Sequence, residues 1–205
     1  NISLLALLGG GGEYHWEQVG GSLENNPSSR IEWPQITVKG TIPYVCWVEQ
    51  GQLYVKHFDG SSWVQDGGSL NVNNNSGAAY PVIISDNTSV YVNFREMADA
   101  CYGFGFYVRK LTAAGWEVVG NNYVFSDAAT EIARLWDTSS IAINNNGTLY
   151  FIVIRGDSGG SESRSFYFDG SAWQDLSYAY LPWYYNCPIY PQLVFNNNIL
   201  YIIWE

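Results

Sequence analysis

The sequence predicts an all-β protein, a β-propeller of four blades with four antiparallel strands each, and three observations carry that prediction. Four tryptophans, Trp16, Trp63, Trp116 and Trp173, are followed after 18, 18, 24 and 18 residues by a second landmark, Pro34, Pro81, Ser140 and Pro191. Ten residues further on stand Tyr44, Tyr91, Tyr150 and Tyr201, each opening a similar run: YVCWVE, YVNFRE, YFIVIR and YIIWE. Between the landmarks lie short runs rich in Val, Ile, Tyr, Phe and Trp, bounded by Gly and Asn. Self-similarity at a period of roughly 50 residues, with several strands in each period, marks a propeller.

The first complete period places its strands at Gln35 to Val38, Tyr44 to Glu49, Leu53 to Phe58 and Trp63 to Asp66. Lys39-Gly40, Asp86-Asn87, Asn144 to Gly147 and Asn196 to Asn198 supply the Asn and Gly that tolerate positive φ in tight hairpins. The last period has only two strands, Gln192 to Phe195 and Ile199 to Trp204. Its complement stands at the other end, where Ile2 to Leu8 and the segment through Trp16 read as third and fourth strands. Counted through the termini, Tyr201 to Trp16 is 20 residues, against 19 from Tyr44 to Trp63. The expected ring is therefore closed by the N-terminal strands completing the last blade, which would hide both sheet edges. This gives a single domain over 1–205, with blades at about 34–68, 81–120, 140–177, and 191–205 joined to 1–20.

Composition narrows the function. The chain has 205 residues, 47% apolar and 17% aromatic, enough to bury a core. Charged residues are only 14%, with Asn, Ser, Gly and Tyr in their place, which points to a secreted or cell-surface setting. A net charge of −10 repels phosphate backbones and anionic bilayers, so nucleic acid is excluded as a partner. Ile2 to Leu8 is too short to span a membrane and has no basic flank. No Met opens the chain, as expected of a mature chain or a piece of a larger surface protein. Of three cysteines, Cys46 lies in a strand run, while Cys101 and Cys187 lie in loops and are the candidate disulfide. The two histidines and scattered thiols have no metal-ligand spacing, and neither a metal nor a cofactor is expected.

The hairpins Phe58-Asp59-Gly60-Ser61-Ser62-Trp63 and Phe168-Asp169-Gly170-Ser171-Ala172-Trp173 resemble a shortened Asp-box turn of sialidase-type propellers. The wider W-x-x-x-GG…P…YVxW repeat resembles bacterial lectin-like propellers, and the resemblance spans nearly the whole chain. It implies the propeller fold and a carbohydrate ligand, and it carries over no catalytic residue. In the residues themselves, Asp59 and Asp169 read as turn caps that bond the backbone.

A four-strand blade sends the connection between strands two and three, and the one to the next blade, to a single face. The short Asn and Gly turns fall on the opposite face. The first face receives the long segments Gly67 to Tyr80, Gly120 to Ser139 and Leu176 to Tyr190, together with Ala98 to Gly105 and Arg155 to Ser165, and long loops on a rigid scaffold are where binding concentrates. Trp33, Tyr80, Trp136, Trp183, Tyr184 and Tyr185 gather there with Arg30, Glu32, Arg134 and Asp137. Flat rings with polar edges suit the alternating CH and OH surfaces of a sugar. The candidate ligand residues are Trp33, Tyr80, Arg134, Trp136, Asp137, Trp183, Tyr184 and Tyr185. Packing around the channel mouth is the competing role for Trp33 and Tyr80.

Other motifs carry less. Gly156-Asp157-Ser158-Gly159-Gly160 resembles the nucleophile segment of chymotrypsin-like proteases, but neither His15 nor His57 stands in the setting that chemistry requires. Glu49 and Glu96 end equivalent strands, and a repeated position reads as architectural before it reads as catalytic. The expectation from sequence is a non-enzymatic, lectin-like propeller that binds a glycan or another cell-surface ligand. Alternatives are a structural module with a protein partner or self-association, and a glycosidase-like enzyme with two carboxylates across a cleft.

Overall fold

The computed structural model describes residues 2–10, 12–97, 104–120, 124–127, 138–157, 160–181, 191–197 and 199–203. All regular elements among them are strands, joined as antiparallel meanders. A hairpin of β1 (Leu4–Gly10) and β2 (Glu13–Val19) comes first. Next is a sheet of β3 (Ile31–Lys39), β4 (Ile42–Glu49), β5 (Gln52–Phe58) and β6 (Trp63–Gln65), in sequence order. The second sheet contains β7 (Ala78–Ser85), β8 (Val90–Met97), β9 (Phe104–Thr112) and β10 (Gly115–Val118), with the short β11 (Phe125–Asp127) also paired to β9. The third comprises β12 (Thr138–Ile143), β13 (Leu149–Asp157), β14 (Gly160–Phe168) and β15 (Trp173–Leu181), and β16 (Gln192–Asn196) pairs with β17 (Ile199–Ile203). Much of Arg155 to Ser165, expected as a loop, is instead the paired ends of β13 and β14.

The first strand of each sheet packs on the first strand of the next: β3 on β7, β7 on β12, β12 on β16. The apolar core fills the spaces between successive blades. Cys46, Val48, Leu53 and Val55 meet Val90, Val92 and Phe94 in one cluster, and Phe106 and Val108 meet Phe151 and Val153 in the next. Burial pushes the Cys46 thiol pKa far up, so it is an inert packing group.

The landmark prolines set the inner strands. Proline has no N–H for the ladder, and at Trp33-Pro34 and Tyr80-Pro81 the register slips, two residues standing opposite one, Trp47 and Phe94 respectively. Trp33 and Tyr80 take left-handed backbone, with φ of 49° and 50°. The third sheet has Ser140 at this position and pairs β12 with β13 without a slip.

The landmark tryptophans join the blades. Trp63 Nε1–H donates to the Val19 carbonyl at 2.8 Å, Trp116 to Asp66 at 2.8 Å and Trp173 to Val119 at 2.9 Å. In each case the acceptor lies three residues after the preceding tryptophan, and the next residue is a glycine with positive φ: Gly20, Gly67 and Gly120. A fourth such clasp would seat Trp16 after Leu176, where Ser177 stands in place of glycine and Leu176 bulges from β15. Trp16 is instead 65% exposed. The expected ring closure is accordingly not formed: among the described residues β1–β2 and β16–β17 are separate two-stranded sheets. Leu5, Leu7, Val194 and Ile203 on them remain exposed.

The two Asp-centred hairpins form as expected. Asp59 Oδ1 accepts the backbone N–H groups of Ser62 and Ser61, each at 2.8 Å, and Asp169 Oδ1 those of Ala172 and Ser171. These bonds hold both carboxyls at a pKa of about 2. A group depressed below its unfolded value of about 3.9 stabilises the fold above that value and loses the contribution as pH falls towards 2. Carboxyl carbon NMR should therefore give titration midpoints near 2 for both residues, and midpoints near 4 would mean the bonds do not persist in solution.

Candidate functional site

Glu49 and Glu96 were the carboxylates most open to a catalytic reading, and the structure shows what they do. Glu49 accepts the backbone N–H of Asn25 at 2.9 Å and of Asn26 at 2.7 Å, with the Trp47 indole N–H at 3.0 Å. Glu96 accepts Val72 and Asn73 N–H at 2.8 and 2.6 Å. Both are buried. Each anchors the loop that enters its blade, in the same way twice. They are architectural, as the repeat implied.

The site is found where the inner strands begin. A cavity of about 90 Å³, room for several waters, opens between Trp33 and Gln35 of β3, Tyr80, Pro81 and Val82 of β7, Thr138 and Ser139 of β12, and Pro191 with Gln192 of β16. All the blades that the chain completes thus contribute, and so does the β16–β17 pair. Trp33 and Tyr80 are both half-buried, their ring centroids 4.7 Å apart and tilted by 48°. The Arg95 guanidinium, itself buried, lies 5.0 Å from the Tyr80 ring centroid. Such a cation against a ring face is held partly by the ring quadrupole, and it fixes Tyr80 as a wall.

The opposite wall is polar. Asn93 of β8 donates from Nδ2 to Ser139 Oγ at 2.7 Å. Ser139 occupies the place that Trp33 and Tyr80 hold in the first two blades, so a small hydroxyl faces two large rings. Among the described residues no carboxylate lines the cavity. Glu32, one residue from Trp33 in sequence, pairs with Arg30 at 3.0 Å. No group of His, Cys, Asp and Glu among the described residues could hold a metal ion. His57 and Asp66 form a separate pair at 3.0 Å near the β5–β6 edge, where burial raises the Asp66 pKa against the pull of His57.

Of the expected ligand residues, Trp33 and Tyr80 come together on the cavity wall, where they also pack, as the competing role had it. Arg134, Trp136, Asp137, Trp183, Tyr184 and Tyr185, and the candidate disulfide Cys101–Cys187, lie outside the described residues. Sequence reasoning passed over Thr138, Ser139 and Asn93. The available signal was the loss of an apolar residue at position 93, whose counterparts are Cys46, Ile152 and Ile203.

No protein-family model matches the chain, and no characterised protein matches it by sequence. The fold is shared with solved β-propeller glycosidases. A GH43 endo-arabinanase from Bacillus licheniformis is 13% identical with a TM-score of 0.57, covering 83% of this chain and 63% of its own. An α-L-arabinanase from Penicillium chrysogenum, in complex with arabinobiose, is 12% identical with a TM-score of 0.64, over 86% and 57%. A GH32 β-fructofuranosidase from Bombyx mori is 12% identical at 0.57, over 93% and 46%. The chain spans less than two thirds of the length of each. At this identity the likeness establishes the propeller fold. It corrects the non-enzymatic, lectin-like expectation, because the propellers to which the fold leads are hydrolases, and the Asp-box lectin resemblance gains no support from them.

Proposed function

We propose that this protein is a glycosidase-like propeller that takes a sugar chain at the cavity where its inner strands begin. The observation that carries the reading is the cavity itself: two aromatic rings on strained, left-handed backbone, with φ of 49° and 50°, lining it together with the hydroxyl side chains of Thr138 and Ser139. Strained non-glycine backbone concentrates at working sites because the surrounding structure must hold it there. An aromatic wall opposite hydroxyls suits a ring with an apolar face and a polar rim. The arabinan-acting propellers that share the fold make arabinan the substrate to test.

Glycoside hydrolysis needs two carboxyl groups, one to protonate the leaving oxygen and one to act as base or nucleophile. With Glu49 and Glu96 committed to loop backbone, the candidates are Glu32, beside Trp33, and Asp137, next in sequence to Thr138. The purified chain is expected to release reducing sugar from arabinan. Glu32→Gln and Asp137→Asn should each lower kcat by roughly 10²–10⁴ while leaving the unfolding midpoint in place. A folded chain that releases nothing from arabinan or related glycans, or variants that retain full activity, would overturn the assignment.

A further inference from the structure

We infer that Thr138 and Ser139, with Asn93 behind them, form a recognition wall for the hydroxyl groups of a neutral sugar ring held against Trp33 and Tyr80. The inference rests on the proposal that this cavity takes a sugar, and adds which residues read it. Two polar atoms here are buried and have no hydrogen-bond partner: Thr138 Oγ1 and Asn93 Oδ1. Thr138 is 4% exposed and Asn93 0%. Buried polar atoms in a folded protein are nearly always paired, since an unpaired one forfeits its water and gains nothing in return. Thr138 lines the cavity, and Asn93 is bonded to its neighbour Ser139, which lines it too; orphaned polar atoms at and just behind a cavity wall mark a place where a ligand or its displaced water supplies the missing bonds.

The repeat isolates the same residues. Position 93 corresponds to Cys46, Ile152 and Ile203 in the other blades, all compatible with an apolar core, and position 139 corresponds to Trp33 and Tyr80. The second and third blades therefore depart from the pattern at two residues that bond to one another, exchanging an apolar contact and an aromatic ring for an amide and a hydroxyl. With Asn93 Nδ2 donating to Ser139 Oγ, the Ser139 hydroxyl hydrogen is left to donate. Reversing the Asn93 amide leaves one of its atoms unpaired just as before. The wall thus offers a donor at Ser139 and a group of either kind at Thr138, with Asn93 holding the Ser139 hydroxyl from behind. No charged side chain lines the cavity among the described residues. Mixed donors and acceptors without charge fit vicinal hydroxyls, which both give and accept.

The test uses the full chain and arabinobiose as probe, by isothermal titration calorimetry, with other neutral disaccharides run beside it by ligand-observed NMR. Thr138→Val and Asn93→Leu should each weaken binding about tenfold, the worth of one hydrogen bond. Thr138→Val should hold or raise the unfolding temperature, because it removes an unpaired buried atom, whereas Asn93→Leu also gives up the amide's bond to Ser139 and should lower it slightly. Unchanged affinity in both variants, with the sugar still bound, overturns the inference and leaves the proposed function standing. A marked fall in unfolding temperature for Thr138→Val also overturns it, by showing that the hydroxyl is a satisfied structural group. If arabinobiose fails to bind but another neutral disaccharide binds and is lost in Thr138→Val, the wall is upheld and arabinan falls. If a folded chain binds no neutral sugar, both readings fall.

Discussion

Glu49→Ala is expected to destabilise the protein by roughly 3–5 kcal/mol, the range for breaking a buried charged group's hydrogen-bond set. The carboxylate is 4% exposed and gathers three donors: two successive backbone N–H groups, from Asn25 and Asn26, and the Trp47 indole. Alanine orphans all three, and Trp47 is wholly buried. Lys56, which lies 5.4 Å from the Trp47 ring centroid and donates to the Leu23 carbonyl, also loses a nearby negative charge. The loop entering the blade should come free with Leu23, its buried apolar anchor. Urea unfolding measures the loss directly. Glu49→Gln keeps one acceptor and should fall between the two. A Glu49→Gln protein as stable as the original would mean the carboxylate is not structural, and would return it to the list of groups able to do chemistry.

The loop anchor shows how the sequence encodes this fold. Glu49 and Glu96 each follow a landmark tyrosine by five residues, and Arg155 stands at that place in the third blade. The third blade is also the one whose tryptophan-to-landmark spacing is 24 rather than 18. The carboxylate is thus present in the two blades with the shorter spacing and absent from the third, whose spacing is longer. The blades and the Asp-centred turns were legible for the same reason: each is a local event, fixed by residues within one period. What lay between periods was harder to read. Asn93 bonds Ser139 46 residues away, and only the comparison of blades position by position singles it out. Trp33 and Tyr80 were legible as aromatics near the channel mouth, but not that they share one wall. Lectin and glycosidase could not be told apart because the same rigid scaffold offers its loops to either use.

Gly120→Ala should cost about 3 kcal/mol, and comparison with Gly67→Ala separates the two causes. Both glycines have a φ of 80°, where a side chain costs roughly 1–2 kcal/mol in backbone strain alone. At Gly67 an added Cβ would lie 3.6 Å from Trp116 Cδ1, an ordinary contact. At Gly120 it would lie 2.9 Å from Trp173 Cδ1 and 3.1 Å from Nε1. The indole must then move, giving up its bond to the Val119 carbonyl, about 1 kcal/mol, and part of its packing on Phe151 and Phe168. The difference between the two variants, measured by urea unfolding, is therefore the worth of the blade-to-blade clasp and should be 1–2 kcal/mol on those same terms. Equal costs would mean the indole is not seated there. Gly20 would bring a Cβ within 2.9 Å of Trp63, so the seats at Gly20 and Gly120 are tight and the one at Gly67 is not, and Ser177 stands at the equivalent place after Leu176. The repeat that counts correctly through the termini thus lacks, at its fourth position, the glycine that accompanies each of the three clasps formed.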